Sequence, residues 1–259
     1  MKFLTKGKFL LCTIGGLILT NIACKAEAPT PLVFDFNSGS LPEGSLFQDD
    51  RKIQGRRSND ISIIQEAING RNAQSVSLPG GKNGLRLSLP QDDSLFGKLT
   101  SLSIALFVKL NSLPQSPIFL HRLKGSRSTP GYFSFHANST PGQDSSEKME
   151  FRITTNDGGE IITATEACEI SQGQWNHFAM VYNGSEVRFY CNGQLVGEPI
   201  STFIEGIPAI DATLCDLSTY NFGGNVAEMV VLPDRALSDA QVQALFDKGP
   251  SGVDFPSLK

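Results

Sequence analysis

Residues 174–197, QWNHFAMVYNGSEVRFYCNGQLVG, constrain the fold more than any other stretch of the chain. Asn183-Gly184 and Asn192-Gly193 each join two residues that accept positive φ, as a tight turn between antiparallel strands requires. The runs they separate are β-branched and aromatic, so the stretch reads as three consecutive strands of a meander. In the first run Trp175, His177, Ala179 and Val181 share one face; Phe178, Met180 and Tyr182 share the other, where Asn176 is the polar exception. A strand apolar on both faces belongs inside a layered β structure, with a second sheet or loops covering its otherwise wet side. The expectation is that Trp175 and its neighbours are buried between two antiparallel layers.

The remaining chain follows the same grammar. Its 259 residues suit one all-β sandwich, and neither an internal repeat nor a Pro/Ser linker argues for two domains. Gly and Pro are scattered at intervals, as in turns between many short strands. TSLSIALFVKL at 100–110 alternates Leu102, Ile104, Leu106, Val108 and Leu110 on one face, a core strand. Further strands are expected at LVFDFN (32–37), SPIFLHRLKG, GYFSFHAN (131–138), near Ala212 to Leu217 and at Val226 to Leu232. SVSLPGGKNGLRLSL (75–89) reads as two alternating runs joined by a Gly-rich turn. MEFRITT (149–155), NDGG (156–159) and EIITATEA (160–167) read as a hairpin, bringing the count to about a dozen strands. Residues 38–60 read as loop, and Ile61 to Ile68 fits either a short helix or a strand.

One helix is signalled. In RALSDAQVQALFDKGP, Ser238 is placed to cap with Gln241, Leu237 and Val242 form a hydrophobic staple, and Gly249-Pro250 stops the helix. Val242, Leu245 and Phe246 give it one apolar face to dock on the sandwich.

The amino terminus reads as an export signal. Lys2, Lys6 and Lys8 precede an apolar run from Phe9 to Leu19 that is short for a bilayer span. Ile22-Ala23-Cys24 resembles the end of a bacterial lipoprotein signal, which implies lipidation of Cys24, although Asn21 stands where that pattern has Leu. The alternative is an ordinary signal cut near Ala26 or Ala28. The expected organisation is a signal over 1–23, a tether over 24–31, one domain over 32–249 and a tail over 250–259. Localisation follows as exported: lipid-anchored in the bacterial cell envelope, otherwise periplasmic or secreted. Removing three Lys and no acid with the signal takes the formal net charge from -4 to three units lower, -7. So acidic a body is a poor match for nucleic acid or anionic lipid.

Of five Cys, Cys12 leaves with the signal and Cys24 is the candidate lipid carrier, leaving Cys168, Cys191 and Cys215. The odd number allows at most one disulfide inside the domain, and the spacing matches no zinc pattern. Two of the three lie in apolar strand-like runs, which favours buried free thiols, with one disulfide the alternative in an oxidising compartment.

Taken together, four ordered motifs resemble the laminin G-like, concanavalin A-like jelly-roll family of bacterial surface proteins. SLSIALFVKL is similar to the family's first core strand, and QWNHFAMVYNG to its W-x-H-hydrophobic-Ala-x-x-Tyr-x-Gly strand. EVRFYCNGQLVG resembles the following hairpin, and FGGNVAEMVVLPDRALSDAQVQALF (222–246) the closing strand and helix. Cys191 departs from the usual aliphatic, and Ala227 from an Asp that many members carry before the residue matched by Glu228. The resemblance implies an all-β, antiparallel two-sheet jelly-roll sandwich with one short C-terminal amphipathic helix. It also implies a structural core containing Trp175, His177 and Tyr190, with His177 hydrogen-bonded beside the Trp rather than catalytic.

The same resemblance raises catalysis and calcium. Glucanases of the fold carry Glu, Asp and Glu at alternate positions of one strand, placing nucleophile and acid on one face. No such triplet occurs here, nor G-x-S-x-G, and His121, His136 and His177 lack metal-ligand spacing. Family members often hold Ca²⁺ at the sandwich rim through hard oxygen donors. The candidates are Asp49, Asp50 and Glu228, with Ala227 removing one donor and a solvated turn the alternative for the two Asp. Sugar binding needs an exposed aromatic platform beside amide and carboxylate groups. With Trp175 assigned to the core, Tyr220, Asn221, Phe222 and Tyr132 are the candidate contacts. The functional expectation is a non-catalytic surface module binding carbohydrate or a protein partner. The alternatives are a polysaccharide-degrading enzyme of the same fold and a purely structural envelope lipoprotein.

Overall fold

In a computed structural model of the protein, the structure describes residues 32–34, 45–48, 54–56, 62–79, 86–88, 99–111, 118–122, 130–139, 146–155, 158–202, 216–220 and 223–253. Numbered along the chain, the strands are β1 (Leu32–Phe34), β2 (Ser45–Gln48), β3 (Gln54–Arg56), β4 (Ser62–Ile68), β5 (Arg71–Pro79), β6 (Arg86–Ser88), β7 (Leu102–Leu110), β8 (Ile118–Arg122), β9 (Phe133–Ser139), β10 (Ser146–Thr155), β11 (Gly158–Thr163), β12 (Cys168–Glu169), β13 (Trp175–Tyr182), β14 (Glu186–Cys191), β15 (Gln194–Leu195), β16 (Ile200–Ser201), β17 (Asp216–Tyr220) and β18 (Gly223–Pro233). They form two antiparallel sheets. The first runs β15-β14-β13-β7-β18-β5-β4, with β1 added to β18 and β16 to β14. The second runs β11-β10-β9-β8-β17-β6-β3-β2, with β12 added to β10. This is the all-β two-sheet sandwich read from the sequence, with more and shorter strands than the dozen expected, two of them, β2 and β3, inside the 38–60 stretch read as loop.

Alternation along each strand places the core. Leu102, Ile104, Leu106 and Val108 of β7 and Phe178, Met180 and Tyr182 of β13 meet Phe133, Phe135, Met149, Phe151 and Ile153 from the second sheet in one buried cluster. Each such side chain, fully withdrawn from water, contributes on the order of 1.5–3 kcal/mol. The meander closes on the two Asn-Gly turns, with Asn192, Gly193 and Gly184 all at positive φ.

The other face of the first sheet is also dry, for a different reason. Helix α1 (Asp239–Lys248) lies on it, burying Val242 and Leu245 with Leu237 against Ala105, Ala179, Val181, Tyr190, Val230 and Leu232. Its start is a capping box in which the Ser238 and Gln241 side chains each accept the other's backbone N–H, worth about 1 kcal/mol. That is why β7 is buried at every position except Lys109, on both faces.

Three readings are corrected. Trp175 does not lie between the sheets: Phe178, Met180 and Tyr182 occupy that side, and Trp175, His177 and Tyr190 lie on the outward side. Trp175 is only half-buried there, whereas His177 and Tyr190 are fully buried. The runs in 75–89 do not form a hairpin, because β5 joins the first sheet and β6 the second; this stretch crosses the sandwich. Cys168 and Cys191, read as free thiols, form a disulfide with a Cα–Cα distance of 6.2 Å. It ties β12 of the second sheet to β14 of the first. Cys215 lies outside the described residues.

Ile61 to Ile68, open between helix and strand, is strand β4 from Ser62, paired with β5 through a turn at Asn69-Gly70 with positive φ at both residues. In the hairpin read over 149–167, the second strand ends at Thr163, and residues 164–167 leave the ladder.

Candidate functional site

The outward face of the second sheet carries polar groups where the first sheet carries a helix. On β9 and β10 the residues between core positions are Ser134, His136, Glu150, Arg152 and Thr154. Glu150 lies directly opposite His136, and Arg152 opposite Ser134. Cross-strand neighbours on one face are close enough to interact, and here they do. Arg152 Nε donates to Glu150 Oε1 at 2.6 Å, and His136 Nε2 lies 3.0 Å from the same oxygen. Ser134 Oγ lies 3.5 Å from His136 Nδ1 on the far side of the ring.

Burial divides the group. The Glu150 side chain is 3% exposed and that of His136 7%, whereas Arg152 keeps 29%. A carboxylate this deep requires partners, since an unpaired buried charge is costly. The guanidinium and imidazole supply them. In return Glu150 fixes the Arg152 fork at its Nε corner. Along its own strand Glu150 is flanked by Lys148 and Arg152, and across by His136 and Thr163. None of these four is acidic. Glycoside hydrolysis by paired carboxylates needs a second acid roughly 5–9.5 Å away.

The row through Glu150 and His136 continues in register to Ile118 of β8 and then Tyr220 of β17. Tyr220 thus stands three strands from Glu150 in the same row. Tyr132 is 6% exposed and offers no open ring face. Asn221, Phe222, Asp49 and Asp50 lie outside the described residues.

Glu228 is on the first sheet, at a bulge. β18 pairs with β5 up to Ala227 and with β1 from Met229, and Glu228 between them has φ 46°. Its Oε2 accepts from Arg71 Nη2 at 2.6 Å. A cation bound at that carboxylate would face the guanidinium, so Glu228 does not fit a calcium ligand set. Among the described residues no three His, Cys, Asp or Glu side chains gather as metal donors.

His177 is the other buried titratable group of the first sheet. Its ring contacts Phe107 and Phe246 at centroid distances of 4.8 and 5.9 Å, and its Nδ1 has no hydrogen-bond partner. Burial, assisted by the charge of Arg71, pushes its pKa down to about 3, so the ring is neutral at ordinary pH.

These two antiparallel layers, helix-sealed on one side and polar on the other, define a lectin-like β-sandwich of the jelly-roll class. A laminin G family model, described as the concanavalin A-like lectin/glucanases superfamily, matches residues 79–243. The chain belongs to that superfamily. Among solved structures, domain 4 of AbnA, a GH43 extracellular arabinanase from Geobacillus stearothermophilus in complex with arabinotriose, is 18% identical with a TM-score of 0.51, over 71% of this chain and 81% of that one. The botulinum neurotoxin type G receptor binding domain is 12% identical with a TM-score of 0.53, over 85% of this chain and 51% of that one. The enzymatically active domain of tailspike protein 2 from bacteriophage CBA120 is 9% identical with a TM-score of 0.52, over 86% of this chain and 35% of that one. The chain therefore spans about half of the toxin domain and about a third of the tailspike domain. At these identities the likeness is one of fold, and the fold hosts both binding modules and glycosidases. No curated protein matches the sequence.

Proposed function

We propose that the chain is an exported, non-catalytic glycan-binding module whose ligand contacts Arg152 on the outward face of the second sheet. The observation that carries this reading is the tethering of Glu150 by Arg152 and His136. Glu150 is committed as a hydrogen-bond acceptor to two donors, and among its described neighbours on that face there is no second acid. What remains exposed is an oriented guanidinium beside Ile161, 57% exposed and in register with Arg152, and Thr163. A donor fork next to an apolar surface suits a sugar, whose hydroxyls need paired partners and whose ring carbons need apolar contact. The arabinotriose bound by the arabinanase domain lends support by fold.

Export rests on the signal-like residues 1–23, with Cys24 as the lipid-anchored first residue of the mature chain. The Cys168–Cys191 disulfide agrees with an oxidising compartment. A glycan array probed with the full chain, with and without EDTA, tests the reading alongside reducing-sugar assays on every glycan that binds. Specific binding that survives EDTA, falls at least tenfold in Arg152→Ala and releases no reducing sugar is the expected result. Release of reducing ends would replace this reading with a glycosidase.

A further inference from the structure

The outward face of the first sheet carries a second polar row, starting where helix α1 stops covering it. Phe246, in the last turn of α1, stacks on Phe107 at 6.2 Å and tilts against His177. The next outward positions on the same two strands are Lys109 and Trp175, which are cross-strand partners. The row continues in register from Lys109 to Asn225, Ser77 and Ser62, crossing five strands from β13 to β4. Strands lie about 4.8 Å apart, so the row extends roughly 19 Å.

Its chemistry converges on Glu66. Glu66 Oε1 pairs with Lys109 Nζ, while Oε2 accepts from Asn225 Nδ2 at 2.6 Å and from Ser75 Oγ at 3.1 Å. Partial burial pulls the Glu66 carboxyl upward, but hydrogen bonds from Lys109, Asn225 and Ser75 and the charge of Lys109 outweigh it and hold it below the usual carboxylate range. Lys109 Nζ also sits 5.4 Å from the Trp175 ring centroid. Trp175 rests against the Phe107 and Ala227 cluster but stays half-buried, and the Lys109 and Glu66 side chains keep 22% and 19% of their surface.

We propose that this row is a second carbohydrate site, for a neutral, hydroxyl-rich oligosaccharide, on the opposite face of the sandwich from Arg152. It rests on the glycan-binding reading above and adds bivalency to it. An aromatic ring beside a partly exposed carboxylate and ammonium, within one sugar's reach, is the set that stacking plus hydroxyl recognition requires. The ion pair sets the class. Lys109 is already matched by Glu66, so no net positive charge remains for a uronic acid, and the ionised Glu66 repels one. The Lys109 contact with the ring is of the weak, surface kind, and its flexible stem can yield the ring to a sugar. Asn225, 5% exposed, and Ser75, fully buried, hold Glu66 in place, so the acceptor is pre-set.

The site carries its own reporter, because Trp175 is the chain's single Trp. The full chain is titrated with arabinotriose, maltotriose and cellotriose, and with trigalacturonate as the charged control, reading Trp emission and calorimetry in parallel. A saturable emission change with at least one neutral trisaccharide and none with trigalacturonate is expected. Lys109→Ala and Asn225→Ala lower that affinity at least tenfold, with circular dichroism showing both folded. Trp175→Phe keeps an apolar ring with less stacking area, covers the case in which Trp175→Ala does not fold, and weakens calorimetric binding. Arg152→Ala separates the faces: the Trp175 titration persists while binding to the second sheet is lost. Sugar binding that leaves Trp175 emission unchanged and survives Asn225→Ala overturns this site alone. Absence of binding in both readouts overturns it together with the glycan-binding reading.

Discussion

Arg71 and Glu228 lock three elements at one point. The guanidinium donates to Glu228 Oε2 at 2.6 Å and to the Asp247 carbonyl at 2.8 Å, joining β5, the bulge of β18 and the last turn of α1. Asn69 Nδ2 adds a bond to the Phe246 carbonyl at 3.0 Å, so two side chains of the β4–β5 hairpin satisfy carbonyls a helix end leaves open. Removing one partner of a mostly buried pair strands the other. Arg71→Ala should cost about 2 kcal/mol in denaturant unfolding, a figure below the fully buried range because both side chains keep some exposure.

The same pair decides calcium at Glu228. Millimolar Ca²⁺ should leave the melting temperature of the wild type and of Glu228→Gln equally unchanged. A calcium-dependent rise in the wild type, lost in Glu228→Gln, would show that the ion displaces Arg71.

His177 should make the fold acid-sensitive. Its folded pKa of about 3 lies below the ordinary histidine value of 6.5, so above pH 6.5 both states are neutral and the group costs nothing. As pH falls below 6.5 the unfolded chain takes up a proton that the folded chain refuses. Stability is lost by up to about 1.4 kcal/mol per pH unit until the folded pKa is reached. Urea unfolding at pH 7, 5.5 and 4 should show that slope in the wild type and a shallower one in His177→Leu. Equal slopes would place the acid sensitivity elsewhere.

The fold was legible where turn chemistry and strand period agreed. Asn183-Gly184, Asn192-Gly193 and the Ser238–Gln241 cap each carry a local signal, and the structure uses each of them. β4 was equivocal by period, yet Asn69-Gly70 at its end is a third Asn-Gly turn that pointed to a strand hairpin. What sequence could not give is which side of a doubly apolar strand meets the other sheet. β13 is apolar outward because α1 lies on it, some 60 residues later in the chain. Trp175 was therefore assigned to the wrong layer, and the row it begins was missed. Glu150 and His136 were hidden likewise, since only strand register brings them together.

The disulfide was illegible for a related reason. Cys168 and Cys191 are 23 residues apart in regions that read as independent apolar strands, and only the stacking of the sheets makes them neighbours. Closing a loop of that length should stabilise by about 3 kcal/mol through the unfolded chain. Cys168→Ser with Cys191→Ser, or reduction of the wild type, should lower the unfolding free energy by about that amount and leave the β-sheet circular dichroism signal intact. Unchanged stability after verified reduction would mean the pair adds nothing to the fold.

The last prediction concerns how Glu150 serves Arg152. If the carboxylate's role is to hold the guanidinium at its Nε, then Glu150→Gln keeps an acceptor oxygen but loses the charge that makes the bond short and strong. Glycan affinity should fall about tenfold, roughly 1.4 kcal/mol, with the fold retained. Arg152→Lys should lose at least as much, because a single ammonium cannot satisfy Glu150 and also present a planar pair of donors. His136→Gln, which retains a donor toward Glu150 without touching the Arg152 bond, should weaken binding less than either. An Arg152→Lys protein that binds as tightly as the wild type would show that positive charge alone matters at this face, and the orienting role of Glu150 would fall with it.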